Sequence, residues 1–411
     1  MSTRHYERVI VLCCFLFIFV NVGMPSSSIS VYQPYITALE GIGDAGGSAI
    51  LSARTLCSFA AMFFVNAYLE RLDVRKGASL ACCLTGAGFL VYSVASTLPV
   101  FFVGAALMGV GYGLGGMVGM TMLVSRWFKS RVGTAVGVAS VGSGAAAMLV
   151  PLAAVQLIHG VSLPFAFRVE GLAAIGVGVL VFALLRDDPE DVGLAPFGSE
   201  EGSEEAGESS GNAPEEDARV ELPRRMYVLL GISMTVVGGF CVGGVGYISV
   251  NMTSSGFPYA FAAAMVSVEG AALTLGKFGA GEAVDHAGPR TGTLMLFSLL
   301  LAGAALFCLV PLGSRAASLV GSFCYGFGAS VGSVGISLWS LNFSTERTRA
   351  RDVRNFQICY NLGSFLFNLF PGALKEACGT YAAFYFILLL AGLFAAATIL
   401  HAYRRYRPQL G

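Results

Sequence analysis

Long apolar stretches alternate with short polar segments along the whole chain. Each stretch holds about 20 residues with few charges, enough to cross the hydrocarbon core of a bilayer as a helix. This pattern predicts an all-α membrane protein with twelve transmembrane helices. The predicted spans are 9–30, 46–69, 77–96, 99–124, 132–158, 164–186, 225–251, 259–283, 290–311, 315–341, 353–375 and 379–402.

One long acidic segment divides the spans into two groups of six. Between Asp187 and Glu221 it holds 13 of the 25 Asp and Glu residues, against a single cation, Arg219. This polar, Gly- and Ser-rich composition predicts a disordered tether. The predicted organisation is an N-terminal bundle over 1–186, a linker over 187–224 and a C-terminal bundle over 225–411. Two six-helix units around a central site are typical of secondary transporters.

The basic residues fall mainly on one side of the predicted membrane. With the N-terminus inside, all but five of the 25 Lys and Arg residues lie in cytoplasmic segments or at the adjoining helix ends. This bias predicts a multi-pass protein of the cell membrane with both termini in the cytoplasm. The net charge is zero, which offers no basis for nucleic-acid binding. The expected partners are the lipid bilayer and a small solute, and the expected state is a monomer.

Two charged loops recur at matching places in the two halves. The first and seventh spans begin at 9 and 225, an offset of 216 residues, and the loops begin at 66 and 281, an offset of 215. The first loop reads NAYLERLDVRKG and the second GEAVDHAGPR. A duplicated six-helix unit explains this spacing.

The second loop resembles the signature loop of the major facilitator superfamily, with Gly281, Asp285, Gly288 and Arg290 at the family positions. The first loop departs from it, because Asn66 replaces the leading glycine. The resemblance implies two pseudo-symmetric six-helix bundles and a latch between them that favours the outward-facing state. Helix ends attract charges of the right sign, worth about 0.3–1 kcal/mol each. The implied latch residues are Glu70, Arg71, Asp73, Arg131, Asp285 and Arg290.

A narrower resemblance concerns the entry to span five, where 127–142 reads WFKSRVGTAVGVASVG. It is similar to the fifth-helix motif of monocarboxylate porters and oxalate:formate exchangers. The segment PEDVGLAP over 189–196 is also common in their bacterial members. The acidic, Trp-containing first-helix motif of animal monocarboxylate porters is absent, since 21–28 reads NVGMPSSS. The resemblance implies that the substrate is a small organic anion, most simply a monocarboxylate.

Five charged side chains lie well inside the spans: Arg54, Arg168, Glu170, Glu269 and Lys277. An unpaired charge at that depth costs several kcal/mol, so each needs water, a partner or a ligand. Lys277 precedes Asp285 by eight residues, about 12 Å of helix, which puts it toward the membrane centre. The resemblance implies that Lys277 holds the substrate carboxylate. The alternative is a structural lysine that is neutralised by Glu269 or that snorkels to the inner interface.

Arg54 and Glu269 occupy equivalent places in the repeat, each twelve residues before its charged loop. Glu269 is the candidate for proton coupling, because desolvation favours the neutral form of a carboxyl group. A static ion pair with Arg54 or Lys277 is the alternative. Arg168 and Glu170 are expected to be interfacial or structural.

Polar residues inside the spans, among them Ser26 to Ser28 in span one, are further candidates for the pathway, although such side chains also bond neighbouring helices. Beside Lys277 and Arg54, the candidate substrate-binding residues are Asn21, Tyr32, Tyr112, Tyr247, Asn251, Trp339, Tyr360 and Asn361. The four histidines lie at span ends or in loops, and no metal-ligand cluster is visible. We therefore expect neither an enzyme nor a cofactor.

The sequence predicts a porter that carries a small organic anion by alternating access, with proton symport and anion exchange both open. One alternative is a porter of the same fold for an unrelated substrate such as a drug, a sugar or an amino compound. The other is a membrane sensor of this fold that transports nothing.

Overall fold

The structure is a computed structural model, and it describes residues 6–129, 132–197, 222–345 and 348–407. Within these ranges the side chains at 132–134, 280–285, 287, 334, 337, 341, 349 and 350 are not described. The named elements are helices, and the described residues add one isolated β-bridge between Phe128 and Phe197. The predicted all-α class is therefore the observed one.

The N-terminal half contains eight α-helices, two pairs of which form single crossings. They are α1 Tyr6–Ile18, α2 Met24–Thr37, α3 Gly43–Met62, α4 Val65–Tyr92, α5 Leu98–Leu114, α6 Met117–Trp127, α7 Val132–Gly160 and α8 Leu163–Leu184. A π-helix, Phe19–Gly23, joins α1 to α2. A short 3₁₀ helix, Pro189–Val192, follows α8.

The C-terminal half repeats this arrangement. Its helices are α9 Arg224–Gly238, α10 Ile248–Ser254, α11 Tyr259–Ala287, α12 Pro289–Cys308, α13 Arg315–Ala329, α14 Val331–Phe343, α15 Arg349–Leu369, α16 Pro371–Cys378 and α17 Ala382–Tyr406. A second π-helix, Gly239–Gly244, follows α9. It begins 220 residues after Phe19, since 239 minus 19 is 220, so the first helix of each half carries the same irregularity.

Nine helical segments among the described residues are long and apolar enough to cross a membrane. The remaining crossings are α3, the pair α13–α14 and α15, which completes twelve. Two of these differ from the predicted spans. The second predicted span is interrupted where α3 ends at Met62 and α4 begins at Val65. The turn at Asp73 inside α4, where φ is +61°, lies in the predicted loop between spans two and three. The tenth crossing is divided at Ser330, which is at once the C-cap of α13 and the N-cap of α14.

The first residues of the linker fold against the N-terminal half. The backbone N–H of Arg75 donates to Asp187 Oδ1 at 3.0 Å, and burial raises the pKa of Asp187 above its ordinary value. Phe197 N–H donates to the Trp127 carbonyl at 2.8 Å, which places 187–197 along the end of α6. The rest of the predicted tether, 198–221, lies outside the described residues.

The two halves meet along helices that run antiparallel. α7 packs on α11, and α3 packs on α15 and α16. Small residues allow the close approach: a Cβ at Gly270 would lie 2.4 Å from the Cβ of Ala147. We call the end of the bundle with Tyr6, Leu184 and Tyr227 the linker side, and the end with Asp44 and Lys375 the far side. The candidate site lies between these ends.

Candidate functional site

A small cavity lies between the two halves, midway along the bundle. The N-terminal half contributes Ser26, Arg54, Thr55, Ser58 and Tyr112, and the C-terminal half contributes Val242, Asn361 and Ser364. Its volume is about 20 Å³, enough for roughly one water molecule. Because both halves line it, the cavity must change shape whenever the halves move relative to each other.

Helical spacing and a close helix contact bring these side chains together. Arg54 and Ser58 lie four residues apart on α3, and Asn361 and Ser364 lie three apart on α15, so each pair shares one helix face. On α5, a Cβ at Gly109 would lie 2.3 Å from the Arg54 carbonyl oxygen. Only glycine allows α5 to approach this closely. One turn further along α5, Tyr112 reaches the same cavity.

Arg54 is the charged residue of this cavity. It is 4% exposed, and its Nε has no hydrogen-bond partner among the described residues. Its electrostatic neighbours are the hydroxyl groups of Tyr92 and Tyr112. No carboxylate in the described part of the chain forms an ion pair with it within 4 Å. A buried guanidinium without a counter-charge costs several kcal/mol, which an anionic ligand would offset.

Lys277 and Glu269 lie on α11, outside the described lining of this cavity. Lys277 Nζ donates to Ser143 Oγ of α7 at 3.0 Å, a hydrogen bond that joins the two halves. Glu269 is 1% exposed, and its Oε1 has no hydrogen-bond partner among the described side chains and backbone. The two groups interact electrostatically without an ion pair within 4 Å. The structure thus places the predicted anchor, Lys277, in an interhelical contact.

Asn21 bonds within its own half. Its Nδ2 lies 3.3 Å from both Cys82 Sγ and the Gly115 carbonyl oxygen, and its Oδ1 accepts from Thr85 at 2.9 Å. These contacts tie the first π-helix to α4 and α5. The side chain therefore supports helix packing in this conformation.

Tyr32 also bonds inside the N-terminal half, where its hydroxyl donates to Glu170 Oε1 at 2.7 Å. Glu170 is buried, whereas Arg168 is exposed. The predicted structural role of Glu170 fits this contact. Tyr32 itself does not border the described cavity.

Two further candidates have partners inside the C-terminal half. Asn251 Nδ2 donates to the Phe307 carbonyl at 3.1 Å. Trp339 Nε1 donates to Thr293 Oγ1 at 3.1 Å, and its ring stacks on Phe297 at 6.0 Å. Both residues are fully buried, so the structure gives them packing contacts.

The two candidates on α15 differ. Asn361 borders the cavity and donates to the Gln357 carbonyl at 2.9 Å and to Met62 Sδ of the N-terminal half at 3.4 Å. Tyr360 hydrogen-bonds with Cys241 on the second π-helix, within its own half. Asn361 is therefore the polar candidate on α15 that borders the cavity.

Tyr247 belongs to a contact that closes the far side. Its hydroxyl lies 2.8 Å from Ser48 Oγ and donates to the Asn368 carbonyl at 2.9 Å. Ser48 Oγ also accepts the backbone N–H of Gly372 at 2.7 Å. Because Ser48 is on α3 of the N-terminal half, these bonds hold the two halves together.

An ion pair reinforces this closure. Lys375 Nζ donates to Asp44 Oδ2 at 2.5 Å, and the Tyr381 hydroxyl donates to Asp44 Oδ1 at 2.7 Å. Nearby, the rings of Tyr35 and Tyr259 stack across the halves with centroids 4.4 Å apart. We call these contacts, together with Ser48, Tyr247 and Gly372, the far-side closure. In this conformation the two halves are in contact at that end of the bundle.

The predicted latch residues lie on the linker side. Glu70, Arg71 and Asp73 are exposed, and Asp73 pairs with Lys76 at 3.5 Å on its own helix. Arg290 is half-buried at the start of α12. No described hydrogen bond joins Arg71 or Asp73 to the C-terminal half. Two further latch candidates lie outside the description: residue Arg131 altogether, and the side chain of Asp285.

Sequence reasoning missed four cavity residues: Thr55, Ser58, Val242 and Ser364. Ser58 and Ser364 carry a usable signal, because each lies one helical turn from a residue that was singled out, Arg54 or Asn361. Thr55 and Val242 carry none. Their position depends on how α3 and the second π-helix are rotated.

Comparisons with known proteins agree with this architecture. A family model described as Major Facilitator Superfamily matches residues 11–367. No curated protein matches the chain by sequence.

Solved structures share the whole fold at low sequence identity. A bacterial homologue of the human lysosomal transporter Spinster is 15% identical, with a TM-score of 0.71 and 99% of each chain covered. The D-xylose-proton symporter is 14% identical, with a TM-score of 0.71 and 96% of each chain covered. A mutant of the peptide transporter POT is 14% identical, with a TM-score of 0.74 and 100% of each chain covered. These likenesses confirm the predicted twelve-helix fold in two six-helix bundles.

Proposed function

The chain belongs to the major facilitator superfamily, and from that premise we propose that it moves a small organic anion with a single carboxylate by alternating access. The observation that carries the proposal is Arg54, a buried guanidinium that has no counter-charge within 4 Å among the described residues and that borders a cavity lined by both halves. One cation suits one carboxylate. Lys277, which the sequence favoured as the anchor, instead joins α11 to α7.

Binding follows from the chemistry of the cavity lining. A carboxylate that enters loses water and gains a charge-assisted hydrogen bond from Arg54. Hydroxyl groups of Ser58 and Tyr112 and the amide of Asn361 add neutral donors from both halves. At about 20 Å³ the cavity holds no organic anion in this conformation, so we infer that the substrate enters when the halves separate.

The direction of opening follows from the far-side closure. With the ion pair Asp44–Lys375 formed, access to Arg54 requires opening at the linker side, which the charge bias assigns to the cytoplasm. The implied latch would favour the opposite state, in which the linker side is shut. Among the described residues, Asp73 pairs with Lys76 and has no ion pair with the C-terminal half, which is consistent with that role.

Competition for uptake tests the substrate class. We expect excess lactate, pyruvate or formate to inhibit uptake of a labelled monocarboxylate into proteoliposomes, because each presents one carboxylate to Arg54. Xylose, a neutral solute, is the control and should not compete. Uptake that all of these anions leave unchanged would remove the organic-anion proposal and leave a superfamily porter for another substrate.

We further propose that Glu269 carries the coupling proton. The Glu269 carboxyl group is 1% exposed, and one of its oxygens has no hydrogen-bond partner in the described structure. Burying such a group costs less free energy in its neutral form than in its ionised form. Lys277 lies two helical turns away on the same helix, so its charge can favour release of the proton when water enters. This assignment favours proton symport over anion exchange.

Replacing Glu269 with glutamine separates symport from exchange. In Glu269→Gln we expect accumulation driven by an imposed proton gradient to fall to the equilibrium ratio of about one, while counterflow stays within about twofold of wild type. Glu170→Gln is the matched control, since that buried carboxyl group bonds Tyr32 away from the cavity. Normal proton-driven accumulation by Glu269→Gln would assign coupling elsewhere or make the porter an exchanger.

A further inference from the structure

A second and larger cavity opens on the linker side of the C-terminal half. Its volume is about 490 Å³, within the range of small-molecule sites. The beginnings of α9 and α15 and the end of α14 enclose it. Among its lining residues are Arg224, Tyr227, Thr348, Arg351, Asp352 and Asn355.

The equivalent helix end of the N-terminal half is covered by a residue of the linker. Trp127 ends α6 and Phe343 ends α14, and 343 minus 127 gives the repeat offset of 216. In the N-terminal half, Phe197 covers that end, with its N–H bonded to the Trp127 carbonyl and its ring 5.8 Å from that of Phe128. Among the described residues, Phe197 thus occupies this place in the first copy, whereas the second copy has a cavity there.

A fixed polar network lines this cavity. Asp352 accepts the Tyr227 hydroxyl at 3.0 Å and Arg351 Nε at 3.1 Å. Asn355 Nδ2 donates to the Tyr227 hydroxyl at 3.0 Å. The carboxylate therefore has its donors within the protein. It holds the Arg351 guanidinium and the Tyr227 hydroxyl at the cavity wall.

The remaining groups at the cavity favour an anion. Arg224 is exposed at the start of α9, and Thr348 precedes α15. Neither N-cap residue, Pro223 or Thr348, caps its helix with a side-chain hydrogen bond among the described residues, and the start of each helix carries a partial positive charge. Two helix N-termini and two guanidinium groups together match a ligand with several charged oxygens.

We propose that this cavity binds a phosphate group, carried either by a free phosphorylated molecule or by the headgroup of an anionic phospholipid. Arg224 and Arg351 contact the phosphate oxygens, and the start of α15 donates backbone hydrogen bonds. The site is separate from the Arg54 cavity. It lies between α9, α14 and α15, so a bound phosphate would tie these helix ends together.

Thermal stability of the full-length protein tests the site. In uncharged detergent, we expect millimolar inorganic phosphate to raise Tm by about 3 °C over chloride at equal ionic strength. In nanodiscs, phosphatidylglycerol should raise Tm similarly over phosphatidylcholine if the ligand is a lipid headgroup. A response to phosphate alone assigns a free ligand, and a response to phosphatidylglycerol alone assigns a lipid.

Two adjacent arginines provide the matched variants. Arg224→Gln should lose the response, whereas Arg225→Gln should keep it, because Arg225 is equally exposed but does not line the cavity. Tyr227→Phe, which keeps the ring and removes one hydroxyl, should weaken the response even if Arg224→Gln folds poorly. The proposal is overturned if neither probe stabilises the wild-type protein, or if Arg224→Gln responds as Arg225→Gln does.

Discussion

Arg54→Gln is expected to lower carboxylate transport about a hundredfold while the protein still folds and inserts. Removing one partner of a desolvated charge pair costs about 3 kcal/mol, which corresponds to this factor. The free protein loses a guanidinium that is buried without a counter-charge, so its own stability should not fall. Uptake in proteoliposomes and the Tm of the purified variant measure the two effects separately.

Three comparisons make this prediction specific. Arg54→Lys keeps the charge but loses the planar donor pair, so we expect partial activity. Lys277→Gln should reduce transport less than Arg54→Gln does, because its hydrogen bond goes to Ser143. Arg168→Gln, which removes an exposed cation of α8, should transport as wild type. If Lys277→Gln abolishes transport while Arg54→Gln leaves it intact, the anchor is the residue that the sequence first indicated.

The fold could be predicted from the sequence because the bilayer imposes one length on every helix. The duplicated loops then gave the internal symmetry. The same symmetry drew attention to Arg54, as the counterpart of Glu269. The symmetry could not predict which side chains surround Arg54 or Glu269 in the folded protein. Arg54 faces a cavity because Gly109 lets α5 close on α3, and that contact joins residues about 55 positions apart.

Most of the polar candidates had partners that no local pattern reveals. Asn21 bonds Thr85, and Tyr32 bonds Glu170, 138 residues away. A polar side chain inside a membrane helix needs some partner, but the sequence does not say whether that partner is another helix or a substrate. Tyr247 is the clearest case, because its partner Ser48 belongs to the other half of the molecule.

The divided crossings show a second limit. Predicted spans two and ten were drawn as continuous because their apolar runs are continuous. The structure interrupts the second span between the end of α3 at Met62 and the start of α4 at Val65, and it divides the tenth at Ser330, where one residue ends α13 and begins α14. Hydropathy predicts which segments are apolar enough to lie in the membrane. It does not predict where a helix within such a segment is interrupted or changes direction.

Gly372→Ala is expected to prevent the far-side closure and thereby stop the transport cycle. A Cβ at Gly372 would lie 2.0 Å from the Asp44 carbonyl oxygen and 2.6 Å from Ser48 Oγ. The first of these is a backbone atom, which cannot move aside as a side chain can. We expect a cost of at least about 3 kcal/mol for the closed state, which lowers its relative population about a hundredfold.

The accessibility of a cysteine on α3 to a labelling reagent distinguishes a protein that cannot close from one that is misfolded. Ser52, one turn from Ser48 on α3, is 3% exposed in the closed conformation. Labelling of Ser52→Cys by a maleimide added on the far side should therefore rise several-fold when Gly372→Ala is also present. Gly160→Ala is the matched control, since it adds the same methyl group on the far side with nothing within 4 Å. Wild-type uptake by Gly372→Ala, or unchanged labelling of Ser52→Cys, would mean that transport does not require α3 and α16 to meet as they do here.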